Sequence, residues 1–415
     1  MTLDEAPLVL MLVGLAAYAV LGGADFGAAF WQIAARGERG DALREHAYRS
    51  MGPVWEANHV WLVFVLVVCW TAYPQAFASV FSTLTIPLFV AALGIILRGT
   101  AYAVHAGTAR EIERRAVDAV FSVSSILTPF ALGTAVGAIA SGRVPVGNAR
   151  GDLVTSWLNP SSIAVGILAV ATGAYVAAAY LAGDAARAGL DDVAAAFRTR
   201  ALGAGVVTGA IAFAALAVVA VDGDRVGERL LEWPALAAVT ASAVAGLATL
   251  EFVRRSRFEA ARYGASVAVA SVVAGWALAQ RPELLPGLGV EEAAAGRPTL
   301  VATVVGVAVG AVVVVPSLAM LFRLVLRGRF DTKAAAGEYL APHSRSRLRR
   351  VPLAGFAAGA AAVGLPLTLI FDRGPFLAIG ILALLTFVAL ASVALAAAAA
   401  ANGRSDEDGP ESPNG

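Results

Sequence analysis

The chain is short of the residues that build water-facing surfaces. Only 15% of its 415 residues are charged, against about 25% in a soluble domain, which excludes an ordinary soluble enzyme. Lys333 is the sole lysine among 31 basic residues, and the net charge is +1. No basic patch or acidic balance points to nucleic acid or to an acidic partner. Cys69 is the only cysteine, so an internal disulfide is excluded and the redox compartment stays open. There are four histidines, His46, His59, His105 and His343, and no two have metal-ligand spacing on one helix. Only His59 falls where it could approach a cofactor in the membrane. No phosphate-binding loop, dinucleotide fingerprint or nucleophile elbow is present. The opening "MTLDEAPLVL" lacks the basic start of a cleaved signal peptide and reads as a retained first helix.

What is abundant is apolar: 59% of residues are hydrophobic, and the mean hydropathy is +0.74. Apolar runs of about 20 residues recur, each long enough to cross a hydrocarbon core of about 30 Å. The expectation is an all-α polytopic membrane protein of about eleven spans. They lie near 7–33, 52–73, 77–103, 118–141, 160–183, 201–221, 234–253, 262–280, 299–326, 351–371 and 376–401. With the N-terminus outside, 24 of the 31 basic residues fall on the inner side and 7 on the outer. That asymmetry places the N-terminus outside and the C-terminus in the cytoplasm. Trp70, Tyr73, Trp157, Trp233 and Trp276 then gather near outer helix ends, as an aromatic belt does. Prolines 87 and 316 fall inside the third and ninth spans. Residues 1–331 read as a nine-helix membrane domain and 332–350 as a basic cytoplasmic linker. A two-helix hairpin follows over 351–401, then a disordered polar tail over 402–415. The scarcity of lysine beside abundant Ala, Val and Gly suggests a GC-rich bacterial genome, hence a bacterial plasma membrane.

Against this apolar background the ionisable residues stand out. Asp25 lies about two turns before the end of the first span, or roughly 10 Å from it. Glu56 and His59 occupy the first turns of the second span, three residues apart and so on one face. Arg98 ends the third, and Asp118 opens the fourth. All converge on the cytoplasmic half of the first four helices. A charge at mid-membrane costs about 2.5–3.5 kcal/mol on insertion scales, and such residues usually pair and mark an ion or proton path. "GGADFGAAF" surrounds Asp25 with small side chains that let helices approach closely. The competing readings are interfacial charge for Glu56, His59 and Asp118, and a structural ion pair for Asp25 with Arg98.

These residues sit in motifs that resemble subunit II of the cytochrome bd-type quinol oxidases. "GPVWEANHVWL" is similar to that family's GPVWDGN-x-VWL, and "GGADFG" to its DGFD-x-G. "LRG" at Arg98, "SILTPFALGTAVGAIASGRVP", "WLNPSSIAVGILAVATGAYVAAAYL", "RTRAL" and "VPSLAMLFRLVLRGRFD" follow in family order over about residues 7–331. Asp25, Trp55, Asn58, Trp61, Arg98 and Asp118 match motif positions. Gly22 stands where the family often has an Asp, Glu56 replaces Asp, Ala57 replaces Gly, and His59 replaces Gln or Glu. The last two helices have no counterpart in the nine-helix pattern. The resemblance implies a two-subunit quinol-to-O₂ oxidase in which subunit I carries the haems b and d and the quinol-oxidising loop. This chain would bind no haem or metal of its own, support subunit I, and contact lipid, quinone and a small accessory subunit. In some members it would hold a structural quinone in a lipid-facing groove. It would also furnish a cytoplasmic proton route through Asp25, Glu56, His59 and Asp118, supported by Trp55, Asn58 and Arg98. A proton-coupled secondary transporter using the same charges is the alternative, favoured if broken helices occupy corresponding halves.

Overall fold

The computed structural model of the chain describes residues 2–35, 38–105, 111–222 and 224–326, with isolated helical positions between 356 and 386. Within helices, the side chains of residues 38–39, 51–57, 102–105, 111–118, 224–225, 315, 318–319 and 321–326 lie outside the described set. The chain divides into two compact units, Met1–Leu326 and Arg327–Gly415. In the second, the described positions are helical, and the Thr386 hydroxyl donates to the Leu382 carbonyl at 2.8 Å. The expected linker over 332–350, most of the hairpin over 351–401 and the tail over 402–415 lie outside the described residues.

The first unit is built from helices α1 (Ala6–Ala34), α2 (Glu38–Ala72), α3 (Pro74–Thr83), α4 (Thr85–His105), α5 (Glu111–Ala140), α6 (Pro160–Arg187) and α7 (Asp191–Asp222). After a short α8 (Asp224–Arg229) come α9 (Ala235–Arg254), α10 (Phe258–Gln280), strands β1 (Glu283–Leu285) and β2 (Leu288–Gly289), α11 (Val290–Ala293) and α12 (Arg297–Leu326). Among the described residues, seven helices are long and apolar enough to cross a membrane. They are α1, α6, α7, α9, α10, Ala119–Ala140 of α5 and Arg297–Val314 of α12, with Asn58–Ala72 plus α3 as an eighth if that bent pair counts as one span. The chain is thus an all-helical membrane protein, but for one antiparallel hairpin that pairs Leu285 with Leu288.

The expectation of one continuous third span over 77–103 needs correction. The chain turns by 120° between α2 and α3, and α3 ends at Leu84 before α4 begins. Pro74 opens α3, where its missing N–H has no partner to lose. Pro87 sits in the first turn of α4, where a proline is tolerated, and not in a helix interior. Pro316 does lie inside α12. The hydroxyls of Ser79 and Ser82 accept hydrogen bonds from the Gly147 and Ala149 amides at 2.9 and 2.8 Å, which ties α3 beneath the 141–159 loop. Tyr73 also departs from its expected place in an aromatic belt. It is fully buried, and its hydroxyl donates to the Asp4 carbonyl at 2.6 Å. Trp70 and Trp233 are 65% and 81% exposed.

Helix α6 is the centre of the bundle, packing against α1, α5, α7 and α10. Residues Ala174 to Gly183 are buried without a break, the mark of a helix covered on all sides. Glycine makes this crowding feasible. A side chain on Gly27 would overlap the Gly173 carbonyl, and one on Gly133 would come within 2.8 Å of the Gly166 Cα. Helix α6 starts at an Asn159 cap, whose side chain accepts from the Ser162 amide at 2.9 Å. Beside that cap, Asp222 at the end of α7 pairs with Arg143 at 2.8 and 3.0 Å and accepts from the Ser161 hydroxyl at 2.7 Å.

Candidate functional site

Four helices bring polar side chains to one place inside the apolar bundle. Asp25 comes from α1, Asn58 from α2, Arg98 from α4 and Ser125 from α5, and each is at most 2% exposed. Small residues flank Asp25, and the close crossing of Gly27 with Gly173 presses α1 against α6. The carboxylate is therefore carried inward on a helix that has little room to shift.

The contacts are those of a fully enclosed ion pair. Arg98 Nη2 donates to Asp25 Oδ1 and, at 3.1 Å, to the Asp25 backbone carbonyl. Arg98 Nη1 donates to the Ser125 hydroxyl oxygen, while that hydroxyl donates to the Phe121 carbonyl at 2.5 Å. The guanidinium lies between two aromatic rings, 4.8 Å from the Phe26 centroid and 4.6 Å from that of Phe121. Facing rings favour a cation there. Asn58 Nδ2 donates to Asp25 Oδ2 at a long 3.4 Å. Both carboxylate oxygens thus accept, one from a charged donor and one from a neutral amide.

Three polar atoms in this cluster have no partner among the described residues: Tyr18 Oη, Asn58 Oδ1 and Arg98 Nε. Tyr18 is 8% exposed and lies about two turns before Asp25 on α1.

Of the residues singled out in the sequence, Asp25, Asn58 and Arg98 come together directly. His59 follows Asn58 on α2 and is partly buried. Trp55 and Glu56 lie on α2 less than one turn before, and Asp118 lies on α5 two turns before Ser125. The side chains of these three lie outside the described residues. Ser125, Phe26, Phe121 and Tyr18 were not anticipated. Serines 124 and 125, two adjacent hydroxyls in an apolar run, were the available signal for the first.

His46, which falls between the first two expected spans, is instead buried within α2. Its Nε2 lies 3.0 Å from the Leu181 carbonyl, and its ring packs 5.9 Å from Phe197. It sits outside the apolar stretch, and burial pushes its imidazole below the usual pKa. A ring whose Nε2 donates to a main-chain carbonyl does not fit the role of a haem ligand through that atom. Among the described residues no three His, Cys, Asp or Glu side chains converge as a metal site.

Comparison with known proteins agrees on one family. The model of "Cytochrome bd terminal oxidase subunit II" matches residues 3–325. A 112-residue stretch is 28% identical to a Bacillus subtilis (strain 168) protein named "Putative cytochrome bd menaquinol oxidase subunit II". That stretch is 27% of this chain and spans about a third, 32%, of the relative's length. A chain of the bd oxidase structure from Geobacillus thermodenitrificans shares the fold with a TM-score of 0.67 at 24% identity. The match covers 79% of this chain and 99% of that one. With its buried Asp25–Arg98 pair carried on that helical frame, the chain belongs to the cytochrome bd terminal oxidase subunit II family.

Proposed function

We propose that the chain is the non-haem-ligating subunit of a quinol:O₂ oxidoreductase in the bacterial plasma membrane, seated against a haem-bearing subunit I. Its N-terminus faces outward and its C-terminus the cytoplasm. Haems b and d belong to the partner. Residues 1–331 form the oxidase-type domain and 332–350 a cytoplasmic linker. The hairpin over 351–401 is an addition beyond the nine-helix pattern, suited to cover a groove that a small accessory subunit fills elsewhere, and 402–415 is a polar tail. Asp25 is a proton carrier fed from the cytoplasmic side by Glu56, His59 and Asp118, while Arg98, Asn58 and Trp55 hold it in place.

One observation carries this reading: the Asp25 carboxylate is fully buried, yet bound by one charged and one neutral donor. A buried ion pair that only stabilised the bundle would be a poor choice, because apolar replacement is often neutral or better by about 1–4 kcal/mol. Ionisable groups kept at such depth usually serve a conduction path. Arg98 compensates the charged form, and the Asn58 amide can also accept from a protonated carboxyl if it turns over. The transporter reading asks for broken helices in corresponding halves, and the described residues contain one bent pair.

The experiment is co-purification with the partner, followed by turnover. The complex carries the oxidase haem spectrum, whereas the chain alone holds no stoichiometric haem. Asp25→Asn and Glu56→Gln slow quinol-driven O₂ consumption by about a hundredfold, the usual scale for a lost proton-transfer group, with haem content preserved. Glu56→Asp is tolerated. Full turnover by an assembled Asp25→Asn complex overturns the proton-carrier role.

A further inference from the structure

We propose that Tyr18 is a positioning residue, holding ordered water with Asn58 over Gly22 and so hydrating the Asp25 site from the N-terminal side of α1. This rests on the proton-carrier reading of Asp25 and extends it.

The argument begins with the three buried polar atoms left without partners among the described residues. Most buried polar atoms in folded proteins are paired, to protein or to ordered water, and leaving one bare costs about 1–3 kcal/mol. Three such atoms around one carboxylate are not independent accidents. They are also chemically complementary: Arg98 Nε can only donate, Asn58 Oδ1 can only accept, and the Tyr18 hydroxyl does both. Buried water typically makes about three hydrogen bonds to such groups.

Helix geometry puts Tyr18 and Asn58 along one seam. Gly14, Tyr18, Gly22 and Asp25 are all buried on α1, at spacings of four, four and three residues, which keeps them on one face. That face meets α2. A Cβ on Gly14 would come 2.6 Å from Phe64, and a Cβ on Gly22 would come 3.1 Å from Asn58 Oδ1. Phe64 therefore closes the seam above Tyr18. At Gly22 the missing side chain leaves the amide oxygen of Asn58 facing bare backbone. The Tyr18 ring is buried and its hydroxyl has no partner among the described residues, so the phenol is held inside the bundle and not in lipid.

Water held here gives Asp25 a neighbour on the side away from the cytoplasm. It accepts the proton that the Asp25 carboxyl releases and gives one up to the next carrier, while Tyr18 stays a neutral phenol. The role of Tyr18 is to fix the water; it does not itself carry charge.

The test uses the purified complex with its haem-bearing partner. Tyr18→Phe removes the hydroxyl and keeps the ring. It lowers quinol-driven O₂ consumption about three- to tenfold, the effect of one lost hydrogen bond, at unchanged haem content, and raises the solvent deuterium isotope effect. Gly22→Ala, which fills the space beside Asn58 Oδ1, gives the same two changes with the hydroxyl intact. Infrared difference spectra of both variants lose the same water O–H band. If both retain normal turnover and a normal isotope effect, the proposal is wrong. If Tyr18→Phe loses rate only in proportion to lost haem, Tyr18 is packing alone and the proposal again fails. Asp25→Asn in parallel separates the two ideas. Slow Asp25→Asn with normal Tyr18→Phe and Gly22→Ala removes only the water, whereas normal Asp25→Asn removes the underlying reading.

Discussion

Arg98 has five N–H donors, and their use explains why no other residue type fits at its position. Nη2 reaches the Asp25 carboxylate and main-chain carbonyl, Nη1 reaches Ser125, and the planar group lies between Phe26 and Phe121. A lysine would supply the charge but neither the flat stacking surface nor the forked reach. Arg98→Ala leaves Asp25 charged and unpaired, a change that costs about 3–5 kcal/mol in buried pairs. The expected outcome is poor assembly as well as lost turnover, with Arg98→Lys only partly restoring the yield of haem-loaded complex. Normal yield from Arg98→Ala, measured by haem per mole of purified chain, removes the buried-pair account. The pairing of Asp25 with Arg98 was legible in the sequence because each interrupts an apolar run. Ser125, Phe26, Phe121 and Tyr18 were not, because a serine or an aromatic in a membrane helix is ordinary until its neighbours are known.

Among the elements, the segment 152–155 offers the clearest response to pH. The Asp152 carboxylate accepts from the Thr155 and Val154 amides at 2.7 and 2.9 Å and from the Thr155 hydroxyl at 2.9 Å. The Thr155 amide first, then that of Val154, hold this carboxyl below its usual range. A depressed folded pKa means the added local stability is fully present above the unfolded value of about 3.9 and is lost as pH falls below it. Hydrogen exchange at Val154 and Thr155, corrected for intrinsic rate, should stay constant from neutral pH to about 5 and accelerate below about 4. Asp152→Ala should be fast throughout; native protection at neutral pH no greater than in that variant contradicts the mechanism. The main helices were readable from apolar run length, since that length is set by the membrane. The break at Leu84 was not, because the run through 77–103 stays apolar across it. Pro87, in the first turn of α4, cannot donate to the Thr83 carbonyl, so a helix running straight through Leu84 would lack that bond.

At the scale of the molecule, the boundary between the two compact units at Leu326 and Arg327 invites a cut. A chain ending just after Arg327, closed by a short polar tail, should assemble with its partner and turn over normally per haem. In detergent it should lose haem-loaded complex several-fold faster than the full chain, the outcome expected of a hairpin that adds interface with the partner without adding chemistry. Equal lifetimes in size-exclusion runs over days point to a hairpin that faces lipid. Within the first unit, Asp25, Asn58, Arg98 and Ser125 tie α1, α2, α4 and α5 together at one level. Two residues on from Asp25, Gly27 rests directly on Gly173 of α6. Such a junction has no slack: sliding any one rod along its axis would break a charged bond or drive backbone into backbone. The carboxylate therefore behaves as a fixed post. On the proposed proton route past it, any gate is then small and local, a turn of an amide, a swing of an imidazole or the arrival of a single solvent molecule, with its timing set by those torsions and not by the movement of helices.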